Sequence, residues 1–345
     1  METILFLQQL GDWLTPVMKF FTVLGDEEFY LLIMPAIYWC FDTLMGTRLA
    51  LMLVVTTGTN SILKLAFHSP RPFWVSGEVR AFTGETSFGI PSGHAQNATT
   101  LWGTWASSIK KRWAWYLALF FAAMIGISRL YMGVHFPIDV LSGWLVGALL
   151  LWIFIRLEKP VGHRIKSQST LRQILIILGI GAAILLIGNL MIASLANWQI
   201  PAEWVENATQ AGAAPEPLSR DGITTAAGVF LGLALGLILI KRRGGFSPKG
   251  PAVQRVLRYL LGIVGTLAIW AGLKAVFPSG ETLLPQALRL LRYALIGFWV
   301  TAGAPLVFLA LKLATPPEKK QKSTWFKRGQ KKYQVPLQSK KSKNC

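Results

Sequence analysis

The chain has 345 residues, 52% of them hydrophobic and 15% charged, with 35 Lys and Arg against 16 Asp and Glu and a formal net charge of +19. A mean hydropathy of +0.45 together with so few charges excludes an ordinary soluble domain, where about a quarter of residues are charged. The basic excess falls in clusters between apolar runs and in the tail from Lys319 to Lys343, which suits anionic lipid headgroups and not a nucleic-acid partner. No zinc-ligand spacing or aromatic RNA-binding motif accompanies it.

In chain order, residues 1–27 carry Leu5, Leu10, Trp13, Leu14, Phe20 and Phe21 among polar residues, the pattern of a helix lying on a membrane surface. A cleaved signal peptide is not expected, because no basic residue precedes the apolar stretch and no small-residue cleavage site follows it. Apolar runs of spanning length then occur at 28–46, 47–66, 94–109, 113–132, 137–156, 171–195, 222–241, 256–277 and 288–313, taking about 20 residues per crossing. The predicted fold class is therefore an all-α polytopic membrane helix bundle with nine transmembrane helices. Lys110, Lys111 and Arg112, the cluster Arg156, Lys159, Arg164, Lys166 and Arg172, and the loop holding Lys241, Arg242, Arg243, Lys249, Arg255 and Arg258 all fall on one side of such a bundle, which the positive-inside rule makes cytoplasmic. The tail falls there too. Cys40, in an apolar run, and Cys345, the last residue, imply neither a disulfide framework nor a metal site.

Three polar blocks map to the opposite side, where apolar runs meet loops. Lys64 and Arg71 flank a turn that Pro70 and Pro72 stop. Pro91-Ser92-Gly93-His94 opens a helix whose first turn offers unpaired N–H groups to an anion, with Ser92 a natural cap and Gly93 allowing close approach. Ser128-Arg129 ends the next helix, and His135 and Asp139 follow, four residues apart across Pro137. That spacing puts a carboxylate one turn from the imidazole, fixing its tautomer and leaving the other ring nitrogen free as a nucleophile. Arg129 adds a planar fork for phosphate oxygens. His68, between the first two cations, suits a pocket wall, and His163 falls in the basic loop.

These residues resemble the type 2 phosphatidic acid phosphatase superfamily, the lipid phosphate phosphatases, over residues 28–156. The resemblance implies that His135 forms a phosphohistidine, that Asp139 orients it, and that His94 protonates the departing oxygen. It further implies that Lys64, Arg71, Ser92, Gly93 and Arg129 bind the phosphate oxygens with no metal or other cofactor. Residues 28–195 would then form a six-span phosphatase core and 196–315 three additional spans, a layout similar to glucose-6-phosphatases and sphingosine-1-phosphate phosphatases. Residues 316–345 would be a disordered basic cytoplasmic tail. The expected partners are membrane lipid and a phosphorylated substrate: phosphatidic acid, phosphatidylglycerol phosphate or a polyprenyl diphosphate first, and a soluble sugar phosphate as the alternative. A non-enzymatic lipid transporter or scaffold would have no use for the His135 and Asp139 pair. Asn207-Ala208-Thr209 is a glycosylation sequon on the loop 197–221.

Overall fold

The computed structural model describes residues 1–317; the basic tail from Lys319 and Cys345 lie outside the described residues. Among the described residues the regular elements are all helical. The amino-terminal helices α1 (Glu2–Gln9) and α2 (Thr15–Val23) precede α3 (Glu27–Cys40) and α4 (Thr43–Phe67). A single turn, α5 (Pro72–Val75), leads by a polar loop to α6 (Gly93–Ile109), α7 (Arg112–Tyr131), α8 (Pro137–Lys166) and α9 (Thr170–Ser194). Then come the short α10 (Ala202–Gln210), α11 (Asp221–Arg242), α12 (Ala252–Val276) and α13 (Leu283–Phe298), the last running through a π-helical turn at Trp299–Gly303 into α14 (Ala304–Ala310).

Among the described residues seven helical segments, not nine, have the length and apolarity to cross a bilayer. The two that fall short are α3, with 14 residues, and α6, with 17. At 1.5 Å per residue they reach about 21 and 25 Å, against a hydrocarbon core of about 30 Å. The run 28–46 breaks early because Asp42 accepts hydrogen bonds from the N–H groups of Leu44 (2.8 Å) and Met45 (2.9 Å) and so starts α4 at Thr43. Helix α6 is enclosed by α4, α7 and α8, so it needs no lipid-facing apolar stripe. It buries Gln96, Asn97, Thr100 and Thr104 instead. Gln96 Nε2 donates to Thr56 O (2.9 Å) and its Oε1 accepts from Asn60 Nδ2 (2.9 Å), a polar seam between α4 and α6.

Close approach of α8 to α6 is made possible by two glycines one turn apart. A Cβ on Gly143 would meet Ser92 O at 2.6 Å, and one on Gly147 would meet Thr99 Cβ at 2.9 Å. Helices α11 and α13 pack in the same way, with a Cβ on Gly228 meeting Leu290 O at 2.7 Å. At the far end of the bundle Arg48 pairs with Glu158 (2.6 Å) and donates to Ser107 Oγ (3.0 Å), joining α4, α8 and α6.

The amino-terminal segment is strapped to the core. Ile4 is buried, Thr22 Oγ1 lies 3.0 Å from Ser128 Oγ, and Gln8 Nε2 donates to Arg80 O (2.7 Å) and Tyr131 O (3.0 Å). Trp13 and Phe20 remain exposed. Two expectations about loops change. Lys159, Arg164 and Lys166 lie on α8, and Arg255 and Arg258 lie on α12, where Arg258 is fully buried. The loop 197–221 contains α10, and the sequon residue Asn207 donates its amide to Trp74 O (3.1 Å).

Candidate active site

The carboxyl end of α4, the amino end of α6, the carboxyl end of α7 and the amino end of α8 meet at one end of the bundle, the ends that carry the three polar blocks. Helix α4 stops at His68, whose left-handed backbone (φ 34°, ψ 41°) lets its N–H return to Lys64 O at 2.9 Å. Arg71 follows as the residue preceding α5. Its guanidinium is fully buried and donates to Ser87 O (2.6 Å), Val134 O (3.0 Å) and Phe88 O (3.2 Å). Lys64 Nζ donates to Ser87 Oγ (2.7 Å), so both cations grip the loop 76–92.

Helix α8 begins at Pro137, whose missing N–H costs nothing at a first turn. Asp139 Oδ2 accepts from Phe136 N (2.8 Å) and from His135 Nδ1 (3.1 Å), so one carboxylate both caps the helix and orients the imidazole. With Nδ1–H given to Asp139, Nε2 carries the ring's lone pair, and it lies 3.3 Å from Arg71 NH1. Burial, and then the neighbouring Arg71, Arg129, Lys64 and His94, push the His135 pKa well below its ordinary value of 6.5. The ring is therefore neutral and nucleophilic at neutral pH.

Ser92 caps α6 with a long bond from Ala95 N (3.5 Å), and its own N–H donates to Asp139 O (2.9 Å), tying the second block to the third. Gly93 faces Asn60, 3.2 Å from where a Cβ would stand. His94, on the first turn, has Nε2 bonded to Asp26 Oδ1 (2.7 Å). Arg129, in the last turn of α7, is buried and pairs with Glu85.

All eight residues expected from the sequence thus lie at one end of the bundle, with Lys64, Arg71, Arg129, His135 and Asp139 around the loop 76–92. Two further residues were not foreseen. Glu85 bridges the two buried guanidiniums, 3.2 Å from Arg71 NH2 and in direct contact with Arg129 NH2. Burial tends to raise its pKa, but Arg71 and Arg129 outweigh that and hold it well below the usual carboxylate range. Asp26, between α2 and α3, holds His94. Neither sits at a fixed spacing from the motifs, and Asp26 is one of three consecutive acids with Glu27 and Glu28, so no local signal singles either out. His68 is exposed, with Phe88 and Trp198 as ring neighbours at 6.3 and 6.4 Å.

Helices long and apolar enough to cross a membrane, a buried histidine–aspartate pair and two guanidiniums sharing one carboxylate describe an integral membrane protein with a cationic cluster at one end. Family models agree: the PAP2 superfamily matches residues 45–162, and the PAP2 superfamily phosphatase transmembrane extension matches residues 224–316. Phosphatidylglycerophosphatase B of Bacillus subtilis is 32% identical over 154 residues, 41% of this chain and 73% of that protein. The chain belongs to the PAP2 superfamily. It is also similar to human sphingosine-1-phosphate phosphatase 2 (32% identity over 152 residues, 40% of this chain) and human glucose-6-phosphatase 3 (29% over 172 residues, 43% of this chain). The match spans only 37% and 49% of the length of those two relatives.

Proposed function

We propose that the protein is an integral membrane phosphatase that hydrolyses a phosphate ester through a phosphohistidine on His135, with a lipid phosphate or polyprenyl diphosphate as substrate. The observation that carries this reading is the Glu85 carboxylate held between Arg71 and Arg129 beside His135 Nε2: a protein anion stands where a phosphoryl group would be bound. Substrate phosphate displaces Glu85 and takes over the two guanidiniums, with Lys64 and the α6 amino end adding positive charge. Nε2 of His135 attacks phosphorus, the bond to the ester oxygen breaks, and His94, held by Asp26, gives that oxygen a proton. Water then attacks the phosphohistidine, with His94 taking its proton, and inorganic phosphate leaves. Three side-chain cations supply the charge stabilisation of the transition state, and among the described residues no cluster of three or more His, Cys, Asp or Glu offers a metal site.

Counting α3 and α6 as crossings keeps the site and the basic turns at opposite ends, so the site faces the periplasm, exterior or lumen. The names of the bacterial and sphingosine relatives support a lipid substrate; that of glucose-6-phosphatase 3 supports a sugar phosphate as the second reading. Phosphate release by purified protein in detergent, compared between phosphatidic acid, a polyprenyl diphosphate and glucose 6-phosphate, separates the two. Vanadate should inhibit, because it adopts the five-coordinate geometry of the transition state, and EDTA should not. Activity lost on chelation and restored by magnesium would overturn the mechanism.

A further inference from the structure

At the same end of the bundle, 830 Å³ of cavity opens between the carboxyl end of α12, the amino end of α13 and the loop 197–221. Its walls are amphiphilic: Trp198, Leu218 and Phe277 are apolar, and Lys274, Arg289 and Arg292 bring positive charge. Arg289 is satisfied by Asp221 (2.7 Å) and Thr225 (3.1 Å), and Glu281 on the rim is satisfied by Arg220 (3.6 Å) and Ser219 (2.8 Å). Arg292 is different. It is 7% exposed, its Nε is buried without an acceptor, and its one described contact is the face of the Tyr293 ring, 5.1 Å away. A buried N–H donor on a charged group with no acceptor is costly, so its persistence at the cavity wall calls for an anion. Glu216, the one unpaired carboxylate of the wall, is exposed and free to turn to water.

We propose that this cavity is a second anion site, distinct from the His135 centre, that takes a phosphate-bearing group on Arg292 and Lys274 with apolar matter against Trp198 and Phe277. A lipid headgroup and a free phosphate present the same chemistry to Arg292. The site is also joined to the catalytic loop, since Glu216 N donates to Thr86 O (2.9 Å), one residue from Glu85 and Ser87.

The test uses the full chain carrying Arg71→Gln and Arg129→Gln, which removes the first anion site. One arm measures binding of labelled inorganic phosphate by equilibrium dialysis in detergent. The other counts phosphatidylglycerol retained from phosphatidylglycerol–phosphatidylcholine nanodiscs by native mass spectrometry. One equivalent is expected in at least one arm, the responding arm naming the source, and Arg292→Leu should weaken it by about tenfold or more, the loss of a charge-assisted hydrogen bond. Lys274→Gln, on an exposed side chain, should weaken it less. Because Arg292→Leu deletes an unpaired buried charge, its unliganded melting temperature should equal or exceed that of the parent, and the ligand should stabilise the parent alone. Binding absent from both arms, or unaffected by both substitutions, would overturn the proposal.

Discussion

Two fully buried arginines at opposite ends of the bundle are solved differently. Arg258 is held at one end by backbone oxygens alone: Trp39 O (2.9 Å), Ser247 O (3.2 Å), Lys249 O (3.2 Å) and Gln254 O (3.3 Å). Arg71, at the other, shares its guanidinium between three carbonyls and three side chains, Ser87 Oγ (3.2 Å), His135 Nε2 (3.3 Å) and the Glu85 carboxylate. Carbonyls of packed backbone cannot leave, whereas a side chain on a loop can rotate away. Burial of an arginine in a membrane bundle is therefore no sign of function by itself. On the proposed function the partner decides: fixed dipoles make a strut, and an exchangeable carboxylate keeps a place for substrate phosphate.

The strongest probe of this contrast acts on His135, the proposed nucleophile. His135→Ala should lower phosphate release by about 10⁴-fold or more, and Asp139→Asn by about 10²- to 10⁴-fold, as for a catalytic triad that loses a member. Near-normal turnover of purified His135→Ala protein would remove the phosphohistidine. Next, the two arginines should trade effects. Arg71→Gln should cost about 10²- to 10³-fold in turnover, the scale for a lost transition-state donor. Arg258→Met should leave turnover per folded molecule within about twofold while lowering the denaturation midpoint, at about 1–3 kcal/mol for each carbonyl stranded. If Arg258→Met impaired turnover as Arg71→Gln does, the distinction would collapse.

A smaller effect is expected from Glu85→Gln, which removes the anion competing for Arg71 and Arg129; inhibition by vanadate and product phosphate should strengthen by about tenfold. The pH dependence of stability gives the finest test. His135 has a folded pKa below 6.5, so stability is full above that value and falls as the pH drops through the window beneath it, where the unfolded chain binds a proton that the folded one does not. Glu85 is likewise depressed, so its contribution is full above its ordinary 4.5 and is lost as the pH falls further. Glu85→Gln should abolish the lower step and keep the upper one, read as the denaturation midpoint against pH.

Much of the site was legible because its residues lie at short, helix-determined spacings: four residues place Asp139 against His135, and Pro137 fixes where that helix starts. Glu85 and Asp26 were not, because they reach the site through loops, Glu85 lying 44 residues from Arg129 and Asp26 lying 68 from His94. The long lipid-facing helices were legible from hydropathy. Helix α6 was legible as a helix but misread as a full span, since enclosure by three neighbours, which no local window contains, is what permits its Gln, Asn and Thr. Arg258 misled for the same reason: counted with the basic residues of the preceding loop it reads as a solvated anchor, although its acceptors come from α3, the turn before α12 and the first turn of α12 itself.

The ring cluster over the site bears on how the molecule can be dissected. Trp74 and Phe88, both fully buried, are covered by Trp198 (5.3 Å from Phe88) and Trp204 (6.2 Å from Trp74), which belong to the segment after α9. A chain ended at residue 195 would keep every motif residue and lose this roof, together with the Glu216–Thr86 and Asn207–Trp74 hydrogen bonds that fasten the loop below it. The boundary drawn by the motifs is therefore not the boundary of the smallest piece able to hold them in place.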